Sequence, residues 1–249
     1  MKTLLTILFL FTALISNAQR TLFGGNNNYV APAAASNSIQ VSNNLVLHLD
    51  AANASSYSGS GSTWTDLSGN NNHITLAGAY GYNQFGAITF NGSGWGYNNG
   101  DLLSKTSYTK QVWLKFNSFS FPNNIISGGN TGMHAFWLSG SNPGNLQAGH
   151  NGAWSQIVDN TALSTGVWYN VAVTFNSSTG WVLYLNGQQK MTSSSLITFT
   201  GTGNIQLASY GGAANFFSGD IAHALVYNRS LSASEILQNF NDLKSRFGL

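Results

Sequence analysis

Acidic residues are the natural starting point for catalytic chemistry, and this chain of 249 residues has seven of them. The single glutamate is Glu235, and the six aspartates stand at positions 50, 66, 101, 159, 220 and 242. Glycosidases flank the scissile bond with two carboxylates, one acting as acid and the other as base or nucleophile. No two acidic residues here alternate along a strand pattern, so the sequence shows no such pair. We therefore expect a non-catalytic protein, without glycosidase or polysaccharide lyase activity.

Histidines and oxygen-rich turns are the candidates for metal binding. The histidines lack close His-x-x-x-His pairing, and we interpret them as isolated surface or edge residues: His48, His73, His134, His150 and His223. Calcium prefers hard oxygen ligands. Asp50 ends a predicted strand, and Asp66 and Asn70 lie in an oxygen-rich turn. These three residues are candidates for a structural calcium, the only cofactor the sequence suggests. The alternative, which we favour, is that Asp66 closes a tight loop as an Asx turn.

Two glycine-rich segments carry aromatic residues that suit ligand contact. The segment 92–101 places Trp95 and Tyr97 among glycines, outside any strand pattern, and a second segment runs from 150 to 154. Sugars stack C–H faces on aromatic rings, while amides and carboxylates bind their hydroxyls. The predicted ligand-binding residues are Trp95, Tyr97, Asn98, Asp101, His150, Asn151 and Trp154. The alternative is that these rings fold back as plugs over the core.

Composition narrows the classes of partner. Charged residues make up 6% of the chain, against about 25% in ordinary globular proteins. The net charge is +2 and Lys and Arg are not clustered, so the sequence lacks the basic patch that nucleic-acid binding requires. The chain has no cysteine, which excludes disulfides and zinc–thiolate sites. An amide- and hydroxyl-rich surface suits a glycan or a cell-surface glycoconjugate, and it equally suits simple extracellular solubility.

The N-terminus has the pattern of a secretory signal peptide. Lys2 precedes an apolar stretch from Leu4 to Ile15, and small residues then lead to Ala18. This architecture predicts cleavage of residues 1–18, with Gln19 as the first mature residue. The alternative is an uncleaved anchor or a buried apolar segment. We expect a flexible linker at 19–42, a domain at 43–249, no membrane span after cleavage, and an extracellular or cell-surface location.

From position 44 onward, short strands dominate the pattern. Apolar residues alternate with their neighbours in the segments 45–50, 112–116, 171–175 and 181–185, as expected for strands. Asn186-Gly187 predicts a type I′ hairpin turn, because both central residues of that turn need positive φ. Several strands carry apolar residues on both faces, which favours two stacked sheets over one sheet facing water.

The C-terminus predicts one helix. Ser232 and Glu235 form a capping box, and Leu231 and Ile236 occupy the positions of a hydrophobic staple. An apolar stripe follows, so the helix should lie on the sandwich. The sequence places two basic residues in its last turn and a glycine at its left-handed end: Lys244, Arg246 and Gly248.

Five segments taken in order resemble a known family. They are Leu45–Asp50, Asp66–Asn70, Trp168–Phe175, Leu183–Gly187 and Gly219–Ser232. Together they are similar to the laminin G-like, concanavalin A-like lectin/glucanase jelly-roll family, in the variant found in bacterial surface and phage structural proteins. The resemblance implies an all-β, two-sheet antiparallel jelly-roll sandwich with a short C-terminal helix. Many relatives have acidic residues after the position of Ile221, where this chain has Ala222 and His223, so no role of that acidic pair carries over.

The residues and the resemblance together suggest a binding module. We expect a secreted, non-catalytic laminin G-like domain that binds a glycan or a glycosylated surface. Lyase-type relatives need Gln, His, Arg and Tyr in one groove, and Gln147 with His150 is only a partial match. The alternative is a structural adhesion or virion-fibre component that acts by protein–protein assembly. The two readings differ in whether Trp95 and Trp154 share one exposed groove.

Overall fold

The computed structural model describes residues 41–119, 123–129, 133–140 and 144–249. The signal peptide expected at 1–18 and nearly all of the linker expected at 19–42 lie outside these residues. The Val41 N–H donates to Asn239 Oδ1 at 3.1 Å, so contacts with the C-terminal helix begin two residues before the expected domain boundary. Within the described residues, no helix has both the length and the apolarity to cross a bilayer.

The described residues form sixteen strands and one α-helix. In chain order the strands are β1 Leu45–Asp50, β2 Thr63–Trp64, β3 Ile74–Ala77, β4 Tyr80–Asn83, β5 Ala87–Asn91, β6 Trp95–Asn98, β7 Ser107–Phe116, β8 Asn123–Ser127, β9 His134–Leu138, β10 Leu146–His150, β11 Ala153–Val158, β12 Trp168–Asn176, β13 Gly180–Leu185, β14 Gln188–Ser193, β15 Ile205–Leu207 and β16 Ser218–Tyr227. The helix α1, Ala233–Leu243, is followed by a 3₁₀ helix, Lys244–Phe247.

The strands assemble into two antiparallel sheets. The first sheet has the order β14-β13-β12-β7-β16-β5-β4, with β1 also paired to β16. The second has the order β11-β10-β9-β8-β15-β6-β3-β2. Neighbours in each sheet are often distant in sequence, as in a jelly roll, so the predicted two-sheet sandwich is confirmed. The laminin G-like expectation therefore holds at the level of architecture.

The core lies between the two sheets and follows from strand alternation. On β1, Leu47 and Leu49 are fully buried while His48 between them is half-buried. The largest apolar rings of both sheets meet in this layer; among them are Trp64, Phe90, Phe116, Phe136, Phe175 and Trp181. Interdigitation of two inner faces is what holds a sandwich together.

The C-terminal helix begins with the predicted capping box. The Glu235 N–H donates to Ser232 Oγ, and the Ser232 N–H donates to the Glu235 carboxylate at 2.9 Å. The helix and the 3₁₀ helix after it cover the outer face of the first sheet, where Trp113 stacks on Phe247 of the 3₁₀ helix with ring centroids 4.1 Å apart. Leu231 and Ile236 are buried together there, in the staple arrangement expected from the sequence.

The end of the helix differs from the prediction. The α-helix ends at Leu243, so Lys244 and Arg246 lie in the 3₁₀ helix that follows and not in the last turn of α1. Arg246 makes a tertiary contact there, since its guanidinium donates to Asp50 Oδ1 at 2.7 Å. Gly248 has a φ of 76° and supplies the predicted left-handed stop.

The β13–β14 hairpin has the predicted backbone. Asn186 and Gly187 have φ values of 49° and 74°, as a type I′ turn requires. A Cβ at position 187 would lie 2.9 Å from Leu237 Cδ1 and Phe240 Cδ1. A glycine at position 187 therefore allows both the positive φ of the turn and the close approach of α1.

Candidate functional site

The outer face of the second sheet carries a row of aromatic and amide side chains. On β9, Trp137 is half-buried while Phe136 and Leu138 on either side are fully buried, so Trp137 points away from the core. Its cross-strand partners are Asn124 on β8 and Gln147 on β10. These pairs place an indole ring between two amides on one sheet face.

The loop from 208 to 217, between β15 and β16, contributes further rings to this face. Tyr210 forms a bridge with Ala214, which closes the loop on itself. The Tyr210 ring contacts Trp154 on β11 at a centroid distance of 5.2 Å. The Phe216 ring contacts Trp95 on β6 at 6.0 Å. The loop thus packs against tryptophans from two separate strands of the sheet.

A cavity of about 250 Å³ lies on one side of this loop. The described residues that line it are Asn124, Ala135, Trp137, Trp154, Tyr210 and Asn215. The Trp137 indole Nε1–H donates to the Trp154 carbonyl at 3.1 Å, which fixes the orientation of the Trp137 ring. We call this set of residues the aromatic cavity.

The amide of Asn124 is buried beside the aromatic cavity. The residue is 3% exposed, and its Oδ1 has no hydrogen-bond partner within the described structure. Its backbone N–H donates to the Asn215 carbonyl at 3.1 Å, which ties the two asparagines together. An unsatisfied buried acceptor costs about 1–3 kcal/mol. Because this oxygen is buried, a ligand hydroxyl would recover part of that cost only if the Asn124 amide turned toward the cavity.

The aromatic cavity has no formal charge. None of the described residues that line it is acidic, basic or histidine. No carboxylate is therefore placed there to act as acid or base, and no cation is placed to bind an anionic group. The surface of the cavity is almost entirely apolar, so contact with the aromatic rings is the main chemistry that it offers.

Two tryptophans singled out from the sequence lie on the same sheet but not in the same cavity. Trp154 lines the aromatic cavity, whereas Trp95 is not among the described residues that line it. Trp95 and Tyr97 were expected outside any strand, and this is wrong because both lie on β6. Gly96 between them allows β6 to lie close to β3, since a Cβ at position 96 would lie 2.6 Å from Ile74 Cγ2.

Three other predicted ligand-binding residues have structural partners. Asn98 Nδ2 donates to the His73 carbonyl at 2.9 Å. Asp101 pairs with Lys105 at 2.8 Å. Asn151 has a φ of 55° and donates to the Thr198 carbonyl at 2.8 Å. These side chains hold loops in place, and the structure does not bring them into the aromatic cavity.

His150 lies inside the core, as part of a buried polar group. Its Nδ1 accepts from the Tyr108 hydroxyl at 3.1 Å, and its Nε2–H donates to the Ile197 carbonyl at 2.7 Å. Burial lowers the pKa of His150 to about 4. The interpretation of the histidines as isolated surface or edge residues is therefore wrong for His150, and likewise for the buried His134 and His223.

A buried lysine, Lys110, lies beside a second buried histidine, His134. Lys110 on β7 is fully buried, and its Nζ is 2.6 Å from His134 Nδ1. The His134 Nε2–H donates to the Asn204 carbonyl at 2.9 Å, so its Nδ1 is the acceptor for the lysine. Burial holds the pKa of Lys110 well below its ordinary value, and burial together with the nearby lysine does the same for His134.

The calcium candidates bond to protein groups. Asp66 Oδ1 accepts from the backbone N–H groups of His48 and Ser68, each at 2.9 Å. The second of these bonds closes the Asx turn that the sequence favoured. Asp50 forms an ion pair with Arg246, and Asn70 Nδ2 donates to the Leu45 carbonyl at 2.9 Å. Across the described ranges, no three or more His, Cys, Asp or Glu side chains form a group that could hold a metal ion.

The sequence analysis missed five of the six described residues that line the aromatic cavity: Asn124, Ala135, Trp137, Tyr210 and Asn215. The outward direction of Trp137 could have been predicted, because side chains alternate between the two faces of a strand and Trp137 stands between Phe136 and Leu138. Tyr210 carried no such signal. Its place depends on a loop that returns over a sheet built from strands far apart in the sequence.

Comparison with known proteins agrees with this architecture. A family model described as the concanavalin A-like lectin/glucanases superfamily matches residues 90–237, which is more than half of the chain. No curated protein sequence matches this chain.

Solved structures share the fold at low sequence identity. Domain 4 of AbnA, an extracellular arabinanase from Geobacillus stearothermophilus in complex with arabinotriose, is 20% identical, with a TM-score of 0.61 over 78% of this chain and 97% of that chain. A Trypanosoma rangeli sialidase in complex with sialic acid is 16% identical, with a TM-score of 0.63 over 82% of this chain and 34% of the sialidase.

A botulinum neurotoxin type C structure, which concerns interaction with two ganglioside molecules, is 15% identical, with a TM-score of 0.59 over 82% of this chain and 52% of that chain. This chain therefore spans about half of the toxin chain and a third of the sialidase, and such similarity establishes the fold alone. Taken with the sandwich topology and the matched family model, it leads to one conclusion: the chain belongs to the concanavalin A-like lectin/glucanase superfamily.

Proposed function

We propose that this domain is a glycan-binding module and that the aromatic cavity is its binding site. The observation that carries the proposal is the combination of the Trp137 and Trp154 indoles with the unpaired, buried Oδ1 of Asn124. The rings offer stacking surfaces for sugar C–H groups, and the amide oxygen, once turned toward the ligand, accepts from a sugar hydroxyl.

The size of the cavity limits what it holds. Its volume of about 250 Å³ lies below the range of about 300–1,000 Å³ for drug-sized ligands. The cavity therefore suits one or two sugar rings, and a longer glycan would continue across the sheet face.

The absence of charge among the described lining residues favours a neutral sugar. A sialylated or sulfated ligand would gain from an Arg or Lys, and neither is among the described residues that line the cavity. The neutral arabinotriose in the complex of AbnA domain 4 supports this choice.

Binding without catalysis is part of the proposal. The described lining residues include no carboxylate, whereas glycoside hydrolysis needs two. Glu235 is occupied by its capping role and by Arg229, which bonds it at 2.6 Å.

Export to the extracellular space or the cell surface is a further part of the proposal. It rests on the signal-peptide pattern at 1–18. Intact-mass analysis of secreted protein should give a chain that begins at Gln19, and a mass that includes Met1 would contradict this.

Protein–protein assembly is the second candidate, and two observations favour it. One is that Trp95 and Trp154 do not line the same cavity among the described residues, and the other is an open sheet edge. The edge strand β14 has five consecutive exposed residues, from Gln188 to Thr192, and an open edge can pair with another chain. Lys190 in the middle of that edge acts against such pairing. We therefore place assembly second.

A glycan array compared across matched variants tests the proposal. The wild-type chain should bind neutral glycans, and Trp154→Ala should weaken that binding about tenfold, because a lost aromatic contact of about 1–1.5 kcal/mol corresponds to that factor. The matched control is Tyr82→Ala, which removes an exposed ring from β4 of the other sheet. Array signals that fall equally in both variants, or that include no neutral glycan, would contradict the proposal.

A further inference from the structure

Two histidines from neighbouring strands of the first sheet meet at their ring nitrogens. His48 lies on β1 and His223 on β16, in a register where Asp50 faces His223. Their Nε2 atoms are 3.2 Å apart. The ring centroids are 5.1 Å apart and the ring planes are inclined by 66°. This pair is separate from the aromatic cavity, which belongs to the second sheet.

We propose that His48 and His223 form a binding site for a divalent transition metal ion. Metal–imidazole bonds of 2.0–2.1 Å at a tetrahedral angle place the two nitrogens about 3.3 Å apart, close to the observed 3.2 Å. Two rings directed at one shared ion bring their centroids to about 5 Å, again close to the observed 5.1 Å. A straight N–H···N hydrogen bond of the same length would hold the centroids farther apart.

The surroundings of the pair favour a cation. Asp50 and Asp66 lie near His48, and Arg246 lies near His223. Arg246 forms an ion pair with Asp50, so these two charges offset each other. The negative charge of the Asp66 carboxylate is not offset by this ion pair. The carboxylate accepts from the backbone N–H of His48 at 2.9 Å. The formal charge of these neighbours is thus −1.

The ligand set determines the class of metal. Neutral imidazole suits zinc, copper and nickel, whereas calcium takes oxygen ligands. No third His, Cys, Asp or Glu completes the group within the described parts of the chain, so water fills the remaining coordination positions. His48 is half-buried and His223 is 2% exposed, which leaves the His48 side as the route from solvent.

Titration of the untagged, purified chain with Zn²⁺ in a non-chelating buffer at pH 7.5 tests the proposal. Calorimetry should show one ion bound per chain, and His48→Gln should weaken that binding at least tenfold. The matched control is His73→Gln, which changes an exposed histidine of the same type and should leave zinc binding unchanged.

A second measurement keeps a folding defect from being mistaken for a lost ligand. Zinc should raise the melting temperature of the wild-type chain and of His73→Gln, because an ion that binds only the folded state stabilises it. It should leave the melting temperature of folded His48→Gln unchanged. Absence of zinc binding in the wild type, or equal binding in the wild type and His48→Gln, would overturn the proposal.

Discussion

Replacing Lys110 by methionine should remove a pH dependence of stability that the wild-type chain shows above neutral pH. Lys110 is fully buried, and no acidic side chain in the described residues forms an ion pair with it. Burial lowers the pKa of its amine well below 10.5. We therefore expect the lysine to be neutral in the folded chain at neutral pH, whereas it is protonated in the unfolded chain.

The magnitude of this pH dependence follows from the proton that Lys110 loses on folding. Each unit between the pH and the unfolded-state pKa of about 10.4 costs about 1.4 kcal/mol, so burying a neutral lysine at pH 7 costs about 5 kcal/mol. The unfolded state binds the extra proton, so stability rises as the pH rises. From pH 7 to pH 9 the wild-type free energy of unfolding should increase by about 3 kcal/mol from this group.

Methionine has a similar shape and carries no titrating group. Lys110→Met loses the bonds of Nζ to His134 Nδ1 and to the Ile126 carbonyl, each worth about 1 kcal/mol. At pH 7 the avoided deprotonation outweighs that loss, and the variant should be more stable than the wild type by about 3 kcal/mol. At pH 9 this advantage should disappear.

Urea unfolding curves at pH 7, 8 and 9, followed by tryptophan fluorescence, measure both chains. The wild-type free energy should climb with pH and that of Lys110→Met should stay level. A wild-type free energy that is also level from pH 7 to 9 would refute the reasoning, because it would mean that Lys110 keeps its proton when folded.

Three further predictions follow from the same structure. Ser232→Ala should lower the free energy of unfolding by about 1 kcal/mol because it removes a helix cap, and an unchanged urea midpoint would mean that the cap does not hold α1 in place. The free energy of unfolding should also fall as the pH drops from 6.5 toward 4, since burial lowers the pKa of His150 to about 4 and the folded chain disfavours the charged imidazole. A free energy of unfolding that stays constant over this pH range would contradict this prediction. Finally, reducing-end and unsaturated-product assays on neutral and acidic polysaccharides should show no turnover, and turnover abolished by a single carboxylate or histidine substitution would overturn the non-catalytic reading.

Local patterns in the sequence were sufficient for the architecture. The alternation of Leu47 and Leu49 with His48 predicted a strand with one buried face, and the capping box of Ser232 and Glu235 predicted the start of α1. Both signals act between near neighbours in the chain, and the structure has both. Short-range rules of this kind suffice when the physical cause is itself short-range.

The contents of the core and of the aromatic cavity depend on long-range pairing. Extending the alternation of Val112 and Leu114 backward places Lys110 on the buried face, yet a charged residue is an unexpected occupant of a core. Its partner His134 comes from the other sheet, so only the folded chain shows the two together. In the same way, Tyr210 meets Trp154 only because a loop packs against a sheet assembled from distant strands.

The most direct test of the central claim is a crystal structure of the chain with the neutral glycan that binds best on the array. The account predicts a sugar ring stacked on the indole of Trp137 or Trp154, with a hydroxyl within about 3 Å of Asn124 Oδ1. A sugar bound elsewhere, for example against Trp95 or along β14 with the aromatic cavity vacant, would contradict it.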